Sequence, residues 1–166
     1  MTEPSTPRLT VSLVGETEIL IARHLRASPE QVFRAHTEAA LIPKWLLGPD
    51  GWTMPVCISD ARPGGRFRYE WAKAGPADGA AIPAFHATGE YIAVTPFSRL
   101  EHVERMFLPE RTPENHVITE FLPEAGGTRL TVRMILPDLA TRDAILASGM
   151  TDGYEDCFAR LDAMAA

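Results

Sequence analysis

The chain is short of cysteine, of long apolar runs and of positive charge, and each shortage removes a class of function. Only two cysteines, Cys57 and Cys157, occur in 166 residues. They share no metal-ligand spacing and read as reduced, buried thiols of a cytoplasmic protein. No run of about 18 apolar residues exists, so no helix is expected to cross a bilayer. Net charge is -6, which argues against nucleic acid or an anionic membrane as partner. Residues 1–12 are polar and contain Pro4 and Pro7. With neither a basic start nor an apolar core they do not read as a signal peptide, and a polar tail is expected there. No histidine pair has the spacing of a helical zinc motif, and no metal site is expected. No G-x-S-x-G elbow occurs, and Gly64-Gly65 and Gly126-Gly127 lack the spacing of a phosphate loop, so no cofactor is expected.

What the chain does have is an ordinary globular composition, 45% apolar and 23% charged, long enough for one domain with a real core, taken as residues 13–166. Its most informative stretch runs from Asp60 to Trp71. Pro63-Gly64-Gly65 suits a tight turn, which Asp60 and Arg62 are expected to brace. Phe67, Tyr69 and Trp71 then alternate with Arg66, Arg68 and Glu70, a period of two that makes one strand face aromatic and the other charged. Three large rings on one face build either a thick core or a cavity.

The remaining elements follow from periodicity and punctuation. A first strand is expected over 17–25, where Ile19, Ile21 and Leu25 alternate with polar residues. Ser28-Pro29-Glu30-Gln31 opens a helix with a capping box, and Val32, Phe33, His36 and Ala40 are spaced for its buried side. A second short helix is expected at 44–47. Six strands follow, at 53–59, 66–72, 85–94, 99–107, 115–122 and 128–136, separated by turns that make them an antiparallel meander. In the hairpin turning at Gly126, Glu120 is expected opposite Arg129. Residues 141–164 form one long helix in this reading, with Leu146, Met150, Tyr154, Cys157, Leu161 and Met164 on one stripe and Gly149 and Gly153 as weak points. A curved seven-stranded antiparallel sheet gripping that C-terminal helix, with two short helices after the first strand, is the expected α+β architecture.

Several of these segments together carry a resemblance. Arg23 in the opening strand, the run 27–33, Trp45, the 60–67 turn, Gly89-Glu90-Tyr91, Gly126-Gly127-Thr128-Arg129-Leu130-Thr131 and Gly153-Tyr154 in the last helix stand in an order and spacing that resemble the START-related SRPBCC superfamily. Within it they are similar to the branch named after activators of the heat-shock protein 90 ATPase. The resemblance covers about residue 17 to the end. It implies the helix-grip fold of birch-pollen allergen and lipid-transfer domains. The superfamily includes lipid carriers, polyketide cyclases, hydrolases and chaperone activators, so the fold does not choose an activity. Tyr154 stands where tryptophan is usual, and only a short tail stands where eukaryotic co-chaperones carry another domain.

The aromatic residues Trp45, Phe67, Tyr69, Trp71, Phe85, Tyr91, Phe121, Tyr154 and Phe158, with Met150, are expected to point into one interior. His102 and Glu104 lie two apart on one strand and share a face. A short hairpin at 95–98 sets Tyr91 opposite His102 and Gly89 opposite Glu104, which turns both inward and makes them candidates for general acid–base work or for orienting a ligand. Thr119 is the third polar candidate. His24, His36, His86 and His116 read as surface or internally satisfied histidines. Three functions stay open: binding of a small hydrophobic or aromatic ligand; a cyclase, dehydratase or hydrolase on the same cavity; and a protein-interaction module with a chaperone partner. A homodimer is the expected oligomer if the chain self-associates.

Overall fold

The computed structural model describes residues 8–47, 51–73, 82–107 and 111–164. The turns expected at 48–51, 73–83 and 109–113 lie partly outside these residues, as do the first seven residues of the tail. One antiparallel sheet dominates. In chain order its strands are β1 (Thr10–Val14), β2 (Glu18–Leu25), β3 (Trp52–Ser59), β4 (Arg66–Lys73), β5 (Ile82–Thr95), β6 (Arg99–Phe107), β7 (Asn115–Glu124) and β8 (Gly127–Ile135). Their spatial order is β1-β2-β8-β7-β6-β5-β4-β3. The meander from β3 to β8 is therefore closed by β2 lying beside β8.

The sheet has eight strands where seven are expected. The additional one, β1, takes Thr10, Val11 and Ser12 out of the expected tail and turns into β2 at Gly15. Val11 and Leu13 alternate there with Thr10 and Ser12, a period of two that suits a strand, although the side chains of β1 stay mostly exposed.

Helix α1 (Pro29–Thr37) starts as its sequence dictates. The Gln31 N–H donates to Ser28 Oγ at 3.3 Å, and the Ser28 N–H donates to Gln31 Oε1 at 3.0 Å. The second short helix is only a 3-10 turn, Ile42–Lys44, starting two residues earlier than expected. Its proline suits a helix start but leaves little chain to continue one.

The long C-terminal helix is instead two helices, α2 (Leu139–Ala147) and α3 (Met150–Ala163). Gly149 separates them with φ 80°, a left-handed conformation that side chains with a Cβ resist. Only α3 carries the buried stripe of Cys157, Phe158 and Leu161.

Registers decide which side chains face α3. Gly89 pairs with Glu104 and Tyr91 with His102, as the sequence requires, but a bulge between Tyr91 and Ala93 is what makes this so. From Thr95↔Arg99 an unbroken ladder would set Tyr91 opposite Val103; the extra residue lets Val94 and Tyr91 both face inward. The β7–β8 hairpin differs from expectation by two residues. Leu122 pairs with Arg129 and Glu120 with Thr131, because both strands continue to a tight turn at Ala125-Gly126. A two-residue slip preserves parity, so the faces are unchanged.

The inner face carries Ile19, Ile21, Leu130, Val132, Val117 and Phe121, all within 5% exposure. Arg23 shares that face and is equally buried, at 3%. Its Nη2 reaches Glu155 Oε1 at 3.3 Å, its Nε reaches Glu155 Oε2 at 3.4 Å, and its Nη1 lies 4.0 Å from Asp162 Oδ2 and donates to the His24 carbonyl at 2.8 Å. Glu155 and Asp162 both stand on α3, two turns apart. The Leu9 N–H donates to Glu155, and the Arg26 N–H to Asp162 at 2.8 Å. Arg23→Met should therefore cost about 3–5 kcal/mol, as for other buried ion pairs that lose one partner. Urea unfolding measures this; a loss under about half a kcal/mol would show that the cluster does not hold α3 to the sheet.

Candidate functional site

The side chains that the registers turn inward do not fill the space beneath α3. A cavity of about 90 Å³ remains between the sheet, the 3-10 turn and α3. Of the residues singled out in the sequence, Trp45, Phe67, Tyr69, Tyr91, His102, Glu104, Thr119, Tyr154 and Phe158 line it. Trp71, Phe85, Phe121 and Met150 do not. Trp71 donates its indole N–H to the Leu46 carbonyl at 2.7 Å and stacks on Phe85 at 4.8 Å, which puts both at the far end of β4. Phe121 packs edge-on against Phe33 at 5.5 Å under α1. Met150, the first residue of α3, packs half-buried against the core.

The walls are rings held by rings. Phe67 lies 5.0 Å from Tyr69 and 5.3 Å from Tyr91. It can lie flat across β5 only because residue 89 is glycine: a Cβ there would stand 2.1 Å from Phe67 Cζ. Trp45 stacks on Phe158 at 6.3 Å and donates to the Ala35 carbonyl at 2.8 Å. Rings fixed on several sides cannot lean inward to close the space.

Polar groups enter this apolar shell at one end. His102 Nε2 lies 3.6 Å from Glu104 Oε2. The other ring nitrogen, Nδ1, is buried and has no hydrogen-bond partner. Leaving a buried polar atom unpaired costs about 1–3 kcal/mol, so this nitrogen is an open valence of the site. Ser59 Oγ donates to the Thr37 carbonyl at 2.9 Å, which leaves it to accept from the Tyr91 hydroxyl at 2.9 Å. Burial raises the pKa of all three phenols, Tyr69, Tyr91 and Tyr154, and the Glu104 charge adds to burial at Tyr69 and Tyr154.

The residue that sequence reasoning missed is His36. It lines the cavity from α1, opposite His102. Its ring packs against Trp45 at 4.6 Å and Phe121 at 5.1 Å, and Nδ1 donates to the Val32 carbonyl at 2.8 Å. Its spacing with Val32 and Phe33 already marked the buried side of α1; treating it as satisfied overlooked the second nitrogen. Ile42, Leu46, Leu100, Val117 and Val132 complete the lining. They carry no signal that separates them from core aliphatics.

The other histidines lie apart from the cavity. His116 Nε2 meets Glu101 Oε1 at 2.6 Å, His24 Nδ1 meets Glu124 Oε2 at 2.6 Å, and His86 stacks on Phe107 at 4.3 Å. Asp60 and Arg62 brace their turn, with Nε donating to Oδ2 at 2.8 Å. Cys157 is buried, but Cys57, on edge strand β3, is only half-buried. Among the described residues no three His, Cys, Asp or Glu side chains are placed to hold a metal.

Burial holds His36 neutral, its pKa lowered to about 4. The unfolded chain titrates this ring near the ordinary 6.5, so as pH falls from about 6.5 to about 4 the unfolded state takes up a proton that the folded state refuses. Folding should lose roughly 3 kcal/mol across that window from this group. Urea unfolding between those pH values should show a shallower acid slope for His36→Gln than for the parent. Parallel slopes would mean that the ring is not held neutral.

Residues 26–166 match the family described as Activator of Hsp90 ATPase homolog 1-like protein. A solved protein from Rhodobacter sphaeroides is 33% identical and superposes with a TM-score of 0.84, over 95% of this chain and 97% of its own. A Nitrosomonas europaea protein is 24% identical with a TM-score of 0.74, over 92% and 96% of the two chains. An AHSA1-like protein from Aeromonas hydrophila is 22% identical with a TM-score of 0.69, over 89% and 93%. The last two likenesses speak to the fold alone, which is the helix-grip arrangement. No protein of curated function matches the chain. The family match over most of the length, with a solved relative at one-third identity, shows that the chain belongs to the Activator of Hsp90 ATPase homolog 1-like family.

Proposed function

We propose that this protein binds a small molecule in the cavity beneath α3, with an apolar body against the rings and a polar end at His102 and Glu104. The observation that carries this reading is the unpartnered His102 Nδ1 inside an unfilled, ring-walled space. A filled core would have closed over apolar atoms and left no polar atom unpaired. Ligand sites combine mostly apolar walls with a few convergent polar groups, and this one does.

Size narrows the occupant. A cavity of about 150 Å³ takes up benzene. At about 90 Å³ the space holds a molecule smaller than that, or roughly three waters by their share of liquid volume. A larger aromatic ligand requires α3 or the 3-10 turn to move outward.

Titration of isotope-labelled protein with 2-propanol and with pyrazole tests the reading. Amide shifts should change along β4, β6 and α3 and stay still on the outer face of the sheet. Val117→Phe, which fills the cavity from β7, should cut the response about tenfold or more while costing ~1–3 kcal/mol of stability. Shifts scattered over the surface and unchanged by Val117→Phe would remove the proposal.

A further inference from the structure

Three side chains that face the cavity, His36, His102 and Glu104, offer lone pairs to it. His36 commits its Nδ1 proton to the Val32 carbonyl, so Nε2 carries a lone pair. The Glu104 carboxylate beside His102 Nε2 selects the Nε2–H tautomer of the neutral imidazole, which leaves the buried, unpartnered Nδ1 as a second lone pair. Glu104 itself accepts only. The Tyr91 proton goes to Ser59 and is not available either. The hydroxyls of Tyr69, Thr119 and Tyr154 are the donors left on the lining.

Charge points the same way. Glu104 is the one Asp, Glu, Lys or Arg among the residues lining the cavity. Among the described residues no guanidinium or ammonium lines the cavity to neutralise the carboxylate. His36 is held uncharged by burial. The walls are the faces and edges of Trp45, Phe67, Tyr69, Tyr91, Tyr154 and Phe158, and aromatic faces attract cations through their quadrupoles. A carboxylate and lone pairs set among rings form a site that lacks a cation with N–H groups.

Resting on the cavity reading above, we propose that the ligand is a small organic cation, a primary or secondary ammonium whose N–H groups meet Glu104 and His102 Nδ1 while its carbon body lies against Phe67 and Tyr69. Anions of the same shape are repelled by Glu104 and find few donors. Neutral alcohols satisfy one acceptor and leave the others bare.

Propylammonium, 1-propanol and propionate, matched in shape and titrated at fixed ionic strength, separate these cases by amide shifts of the cavity residues. Propylammonium should bind about tenfold or more tightly than 1-propanol, and propionate should not bind. Glu104→Gln should lower the ammonium affinity about tenfold and that of 1-propanol by clearly less. Equal or tighter binding of 1-propanol or propionate, or an ammonium affinity indifferent to Glu104→Gln, overturns the cationic ligand and leaves the cavity reading standing. If no probe of any charge shifts the lining residues, both fall. Should Glu104→Gln fail to fold, the ranking of the three probes on the parent protein still decides.

Discussion

The placement of α3 depends on one buried charge. Arg23 stands on the core face of β2, where every neighbour of its parity is aliphatic, and a guanidinium taken out of water has to be paired there. Its partners, Glu155 and Asp162, both come from α3. The planar fork accepts them from fixed directions, so the ion cluster sets both where α3 lies and how it is rotated. That rotation brings Tyr154, Phe158 and Leu161 down over the sheet. The same carboxylates also hold Leu9 and Arg26 through backbone N–H groups, which ties the start of β1 and the end of β2 to the helix.

The cavity is a consequence of this clamp and of rings that brace one another. With α3 fixed by charge at its β2 side, the helix does not settle further onto β4 and β5. Phe67, Tyr69 and Tyr91 form a connected aromatic layer at 5.0–5.3 Å spacings, and Gly89 gives Phe67 its place in that layer. Gly149 then releases α2 from the axis of α3, so the apolar stripe read along both helices serves only the second. The space that remains is polar at one end because β6 alternates so that Leu100, His102 and Glu104 share the inner face. Histidines from two elements, α1 and β6, approach that end from opposite sides.

The residues explain which parts of this were legible. The capping box at Ser28, the turn at Pro63-Gly64-Gly65 and the alternation of β4 are local, each set by neighbours within a few positions, and all three stand as the sequence requires. His102 and Glu104 face inward as expected from Tyr91 and Gly89, but the ladder starts at Thr95↔Arg99 and a bulge that the sequence does not announce restores the pairing. Edge strand β1 carries its own alternation, Val11 and Leu13 against Thr10 and Ser12, but the polar, proline-containing residues just before it draw the reading toward a tail. The register of β7 on β8 was missed by two residues because parity constrains the face and not the length of the hairpin. Trp71, Phe85 and Phe121 share the inner face with the cavity residues, yet they pack elsewhere along the strands. Alternation gives the face but not the position along it.

The sequence by itself determined the α+β class, the order of elements, the inner face of each long strand and the family resemblance. These rest on short-range chemistry: backbone preference, a period of two or nearly four, and turn residues at fixed offsets. The tertiary structure alone decided that the interior is not filled, that His36 joins His102 at its polar end, and that His102 Nδ1 has no partner. Each of those depends on side chains from α1, β6 and α3 meeting at distances of a few ångströms. Such distances are set by the Arg23 clamp, the β5 bulge and the break at Gly149 acting together, and no local pattern in the chain encodes their sum.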